Sequence, residues 1–257
     1  MVRGKSHYNT PMELKGKVAL VTGALSGIGK AIAVALAHKR AHVLVHYGRN
    51  KAGAQETLEE VEKFSSGRLY QADLMNRDHI TSLFEEIKKT TPEIDVLVNN
   101  AGDAQPGDIN DNRVWEYEYK NIFFSAVHIS QAFLSLPSSQ LRKIINITSL
   151  YGNLHTGNPQ YLQYSAFKAA LANLTTTLSK STAPKVIVNA VAPGYTETPA
   201  WAGASKESLE AHARATSIGR FVSPEEVAHA VVFVAENDAL VGQVLTLDGG
   251  TSLKGMA

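Results

Sequence analysis

The chain has 257 residues, 44% of them apolar, with 25 Lys and Arg against 24 Asp and Glu for a formal charge of +1. It is long enough to bury a substantial core, and no block of like charge suggests a nucleic-acid or anionic-membrane partner. It has no cysteine, which excludes disulfides and thiolate catalysis and fits a reducing compartment.

No apolar run approaches the roughly 20 residues that span a bilayer, and the start of the chain lacks the apolar stretch of a secretory signal. A cytoplasmic protein is expected. Met12 is a natural start just ahead of the first strand, so residues 1–11 are read as an expression remnant or a short disordered extension. Residues 12–257, undivided by any linker, are read as a single dinucleotide-binding catalytic domain.

The first predicted strand is Val18 to Val21. After it, Gly23, Ser26, Gly27, Ile28 and Gly29 form a glycine turn leading into a helix. There glycine permits positive φ and close backbone approach, and the helix N-terminus offers free N–H groups to a pyrophosphate. Ile28, Ile32, Ala35 and Leu36 give that helix an apolar stripe.

The second strand, His42 to His46, is followed by Tyr47-Gly48-Arg49. No carboxylate stands where one would bind a ribose 2′-hydroxyl, and the Arg49 guanidinium can pair with a 2′-phosphate, which tilts the reading toward NADP(H) over NAD(H). Asp73, after the third strand (Leu69 to Ala72), is either an adenine contact or a helix cap.

Further strands are predicted at Val96 to Val98, Ile144 to Ile147, Val186 to Val191 and Val244 to Leu247. Seven mostly apolar strands separated by helical stretches predict a Rossmann-type, doubly wound parallel α/β sheet with helices on both faces. Between Gly194 and Ile218 no strand is expected. A short helix is predicted over Lys206 to Ala215, in an irregular segment able to cover a site.

Tyr164 and Lys168 are four apart in a predicted helix, so both project from one face. A tyrosine titrates near about 10, and a nearby ammonium would lower that value. Tyr164 would then exchange a proton with a carbonyl oxygen while Ser149, closing a strand, orients that oxygen. Tyr161 has no lysine four residues later and is the poorer candidate. Trp201, Tyr195, His155 and Leu154 either line a substrate pocket or pack a lid. There is no HExxH or other compact ligand set, so no catalytic metal is expected.

The stretch Thr22 to Gly29, Asn99-Asn100-Ala101-Gly102, Asn121, Ser149, Tyr164 with Lys168, Pro193-Gly194 with Thr196 and Thr198, and Asp248-Gly249-Gly250 occur together and in order. On these motifs the chain resembles the short-chain dehydrogenase/reductases of single-domain type from about Leu14 to Gly250, with an overall pattern closest to the 3-oxoacyl-acyl-carrier-protein reductases.

The resemblance implies a catalytic tetrad of Asn121, Ser149, Tyr164 and Lys168, with Lys168 also holding the nicotinamide ribose and Asn121 supporting a water-linked proton path. It implies a cofactor-side role for Asn100 and Gly102, and places Pro193, Gly194, Val191, Thr196 and Thr198 along the nicotinamide. Self-association into a homotetramer is likewise implied.

Two departures stand out. Ser149 and Tyr164 are fifteen residues apart, longer than the family's usual interval, and Lys120 precedes Asn121 where an apolar residue is usual. The expected activity is NADP-dependent hydride transfer to a carbonyl, with a small-molecule or acyl-carrier-bound substrate. An alcohol, polyol, sugar or steroid dehydrogenase and a non-catalytic nucleotide sensor are the alternatives. Arg113, Lys120, Lys206 and Arg214 are the candidate carrier-docking charges.

Overall fold

The computed structural model describes residues 12–138 and 140–254. The expectation for residues 1–11 lies outside the described residues.

Seven parallel strands form one sheet in the order β3-β2-β1-β4-β5-β6-β7. They are β1 (Val18–Val21), β2 (His42–Tyr47), β3 (Gly67–Gln71), β4 (Val96–Asn99), β5 (Arg142–Ile147), β6 (Val186–Pro193) and β7 (Val244–Leu247). All seven were expected, with ends shifted by up to two residues; where a boundary moved, a polar or small residue such as Arg142 or Gly67 pairs in the ladder without announcing itself by hydropathy.

The helices are α1 (Gly27–His38), α2 (Lys51–Glu62), α3 (Arg77–Thr90), α4 (Asn112–Glu118), α5 (Ser125–Ser135), α6 (Leu162–Thr182), α7 (Lys206–Ala215) and α8 (Pro224–Glu236). A π-helical turn, Tyr119–Phe124, joins α4 to α5. The predicted helix over Lys206 to Ala215 is α7.

The pleat sorts the strand side chains into two cores. Leu20, Leu44, Leu97, Ile144 and Val188 stand side by side across five strands and pack against Leu83 and Ile87 of α3 and Ile129 and Phe133 of α5. On the opposite face Val21, Val45, Val98 and Ile145 meet Ile32 and Leu36 of α1, Val61 of α2 and Val231 of α8. Burying such strands on both faces requires their near-continuous apolar sequence. On α1 the buried stripe is Ile32, Ala33, Leu36 and Ala37, rotated slightly from the expected one because Ile28 lies at the rim of the glycine turn.

β1 and β4 are neighbours in the sheet though not in sequence, so the chain reverses its winding there and opens a crevice at their carboxyl ends. No helix among the described residues is long and apolar enough to cross a membrane.

Candidate active site

Three glycines shape the turn after β1. Gly23 and Gly27 have φ of 64° and 52°, and a Cβ on Gly29 would fall 2.3 Å from the Gly23 carbonyl oxygen. These positions therefore admit glycine alone, and α1 can begin directly under the turn. Ser26 is the N-cap of α1 but its side chain makes no capping hydrogen bond, which leaves a hydroxyl beside the unsatisfied N–H groups of the helix start. That donor set suits a pyrophosphate.

Asn100 ties the turn to β4. Its Nδ2 donates to the carbonyls of Thr22 at 2.9 Å and Gly23 at 3.2 Å, while its backbone N–H donates to the Thr22 hydroxyl at 2.9 Å. Gly102, with φ of 142°, lets the chain turn away over Ile122. His46, which sequence reasoning left among the strand residues, completes the frame. Its Nδ1 accepts from the Gly23 N–H at 3.2 Å and its Nε2 lies 3.1 Å from the Ala72 carbonyl. Burial holds this imidazole neutral, with its pKa pushed down to about 4.

Arg49 follows β2 on an exposed loop, and its guanidinium takes no hydrogen bond or ion pair among the described residues. Asp73 is not a helix cap: its Oδ1 accepts from the Met75 N–H at 3.0 Å, and Asn76 caps α3 instead. On the far side, Gly194 leaves β6 so close to β7 that a Cβ would fall 2.6 Å from the Cα of Asp248. Thr196 donates its hydroxyl to the Gly194 carbonyl at 3.0 Å. Thr198 reaches the glycine turn, its Cγ2 lying 3.2 Å from where a Cβ of Gly27 would stand. The loop after Pro193 thus closes onto the loop after β1.

Ser149 leaves β5 and starts a 3₁₀ turn, its Oγ accepting from the Tyr151 N–H at 3.1 Å. Tyr164 and Lys168 stand one turn apart on α6, as expected. Lys168, only 4% exposed, donates through Nζ to the Ile147 carbonyl at 2.7 Å and lies 5.4 Å from the centre of the Tyr164 ring. The end of β5 therefore positions both Ser149 and the lysine.

One expectation is corrected. The phenol is not left below its ordinary value: burial pushes Tyr164 up to about 12, the Ser149 hydroxyl opposing and the carboxyl groups of Glu118 and Asp103 adding to the rise. Burial also brings Lys168 down to about 8, against the pull of Glu118. At neutral pH the phenol is fully protonated, a form suited to giving a proton.

Asn121 sits in the π-helical turn with its Nδ2 on the Asp103 carbonyl at 3.0 Å and the Asp103 carboxylate at 2.7 Å. Its own carbonyl accepts the Ser125 hydroxyl at 2.6 Å. Its amide thus fixes the loop after β4.

The loop that lengthens the Ser149 to Tyr164 interval folds back on itself through Thr156, whose hydroxyl donates to the Leu150 and Asn153 carbonyls. Leu154 is 84% exposed and His155 is exposed too. Tyr195 and Trp201 belong to an aromatic cluster. His212 lies 4.7 and 4.8 Å from their ring centres and Phe221 5.0 Å from Trp201. Tyr151 joins it through a hydroxyl contact with Tyr195 at 3.4 Å. Tyr161 stacks on Tyr151. Among the described residues no group of His, Asp or Glu is placed to hold a metal.

The fold is that of an oxidoreductase built on a dinucleotide-binding sheet, with Ser149, Tyr164 and Lys168 at the carboxyl end of the strands. Residues 23–252 match the family model described as Enoyl-(Acyl carrier protein) reductase. The chain is 36% identical over 252 residues to the 3-oxoacyl-[acyl-carrier-protein] reductase FabG of Aquifex aeolicus, covering 93% of this chain and 98% of the relative. It is 34% identical to the cis-4-hydroxycyclohexanecarboxylate dehydrogenase of Sinomonas cyclohexanicum over 91% and 96% of the two chains. L-sorbose reductase from Gluconobacter frateurii, solved with NADPH and L-sorbose, superposes with a TM-score of 0.87 at 27% identity over 95% and 100% of the chains. The chain belongs to the short-chain dehydrogenase/reductase family.

Proposed function

We propose that this protein is an NADP(H)-dependent carbonyl reductase in which Tyr164 gives the proton and Ser149 orients the carbonyl. The observation that carries the reading is the convergence of Ser149, Tyr164 and Lys168 at the end of β5, beside a glycine turn built for a dinucleotide.

Gly23, Ser26, Gly27, Ile28 and Gly29 would hold the pyrophosphate, Arg49 the 2′-phosphate, and Asp73 the adenine side. Asn100, Gly102, Pro193, Gly194, Thr196 and Thr198 would enclose the nicotinamide half, with Lys168 on its ribose. When bound, the reduced cofactor supplies a hydride. Ser149 donates a hydrogen bond to the substrate oxygen, Tyr164 transfers its proton to that oxygen as it gains charge, and the Lys168 ammonium stabilises the phenolate left behind. Asn121 acts by fixing the loop that borders this pocket.

A 3-oxoacyl thioester is the first substrate to try, since the relative from Aquifex aeolicus is named for that reaction. A cyclic or aromatic ketone is the second reading, favoured by the rings of Tyr151, Tyr195, Trp201 and Phe221 beyond the phenol. The expected carrier-docking charges also weigh toward it. Arg113, Lys120, Lys206 and Arg214 each lie within 4.0 Å of a carboxylate, on Asp111, Glu116, Glu210 and Glu210 respectively, so most of their positive charge is offset locally before an acidic carrier meets it.

Self-association into a homotetramer is supported by the half-buried aromatic cluster of Trp115, Phe124 and Phe167 around the exposed Tyr119 on α4 to α6. The deciding experiment follows NADPH oxidation with an acetoacetyl thioester, cyclic ketones and ketoses, in wild type and Tyr164→Phe. Turnover that falls by about 10²-fold or more in the variant, with NADPH binding retained, supports the assignment. Tight cofactor binding with no turnover of any carbonyl leaves a nucleotide sensor.

A further inference from the structure

Glu118 ends α4 directly before the π-helical turn, and its side chain is completely buried. One oxygen, Oε1, accepts the Gln105 backbone N–H at 2.6 Å; the other, Oε2, is buried with no hydrogen-bond partner. No cation lies within 4.0 Å of it among the described residues. A buried carboxylate in that state carries a large desolvation cost unless it holds a proton or borrows a distant charge.

Several titratable groups face it. From the loop after β4 comes Asp103, a like charge that already accepts from Asn121 and from the Tyr117 hydroxyl at 2.7 Å. From α6 come Lys168 and Tyr164, both felt electrostatically. From the π-helical turn comes the neutral amide of Asn121. On α4 itself Tyr117 points to Asp103, while the exposed Lys120 is engaged by Glu116 at 2.7 Å and gives Glu118 no cation.

We propose that Glu118 is a positioning residue of the site: a buried carboxyl that stores a proton and, by gaining or losing it, sets the charge of Lys168 and the acidity of Tyr164. The proposal rests on the reading of Tyr164 as the proton donor. No bond other than O–H and N–H changes: a proton leaves Oε2 for solvent when the carboxylate forms, and the new negative charge favours the ammonium of Lys168.

The directions agree with this. Burial pushes the Glu118 carboxyl up to about 7, the Gln105 N–H opposing, Asp103 adding to the rise, and Lys168 and the Asn121 amide opposing it. Burial takes Lys168 down to about 8, and Glu118 is the group that pulls it back up. The two titrations therefore overlap near neutrality and belong to the pair.

The test uses nuclear magnetic resonance of the intact protein carrying ¹³C at Glu Cδ and Lys Cε, read from pH 5 to pH 10. One Glu signal titrating near neutrality, absent in Glu118→Gln, is expected. The Lys168 signal, assigned by its loss in Lys168→Met, should titrate about one pH unit lower in Glu118→Gln. Reciprocally, the Glu118 signal should titrate higher in Lys168→Met.

Kinetically, Glu118→Gln should move the alkaline fall of carbonyl reduction to lower pH, because Lys168 then loses its proton sooner. The glutamine keeps an acceptor for the Gln105 N–H, so a loss of kcat with an unmoved pH profile would mean a structural role and overturn the proposal. So would a wild-type protein with every Glu signal titrating in the ordinary carboxylate range, a result that needs no variant to fold. Normal coupled titrations in a protein that reduces no carbonyl would sustain the proton store and sink the reductase reading instead.

Discussion

A Cβ atom placed on Gly152 would lie 2.7 Å from the backbone carbonyl carbon of Lys168. The 3₁₀ turn that carries Ser149 and the helix that carries Tyr164 and Lys168 therefore meet backbone to backbone. No side chain separates them, and this contact sets the spacing between hydroxyl, phenol and ammonium.

Gly152→Ala should accordingly push the turn off α6. A displacement of that kind costs about 10²-fold in turnover and about 1–3 kcal/mol in stability, while NADPH affinity stays close to wild type. Gly203, whose Cβ would meet nothing within 4 Å, provides the control: Gly203→Ala should change neither kcat nor the unfolding midpoint.

Arg49→Ala should weaken NADPH binding about 10- to 100-fold, the worth of a charge-assisted contact to a phosphate, and leave NADH binding unchanged. Fluorescence titration with both cofactors reads the ratio directly. Equal loss for both would place the 2′-phosphate elsewhere.

His46 ties stability to pH. Its folded pKa of about 4 lies below the ordinary 6.5, so the unfolded chain binds the extra proton between those values and stability falls as pH drops through that window. The loss amounts to about 3 kcal/mol once pH reaches 4. Urea unfolding followed from pH 7.5 to 4 should show it in wild type and show it missing in His46→Gln.

Trp201→Ala removes a ring that packs edge-on to Phe221 at 5.0 Å. For a cyclic ketone, KM should rise about tenfold with kcat little changed, the pattern of lost uniform binding. A short acetoacetyl thioester should be much less affected. Equal effects on both would show that Trp201 packs the segment and does not contact substrate.

Much of this was legible in the residues. β-branched runs marked six of the seven strands, β3 (GRLYQ) having none, and Gly23, Gly27 and Gly29 marked the turn because positive φ and crowding leave a direct signature in residue type. Tyr164 and Lys168 were found by helical spacing. Glu118 and His46 were not, since a glutamate near a helix end and a histidine in a strand read as ordinary polar residues until tertiary packing buries them. The π-helical turn that follows Glu118 inserts an extra residue into the helical repeat, so the periodicity by which buried and exposed positions are told apart breaks there. Lys168 showed its position but not its charge state, because the burial that lowers its pKa comes from strands and helices remote in sequence.

The touching of Thr198 and Gly27 joins segments from opposite ends of the chain. A cleft closed in that way exists only after β6 has docked on β5, so a nascent chain still lacking its last third has the glycine turn but no wall opposite it. A nick anywhere between Thr198 and Val222 should therefore be sensed at the first turn of α1.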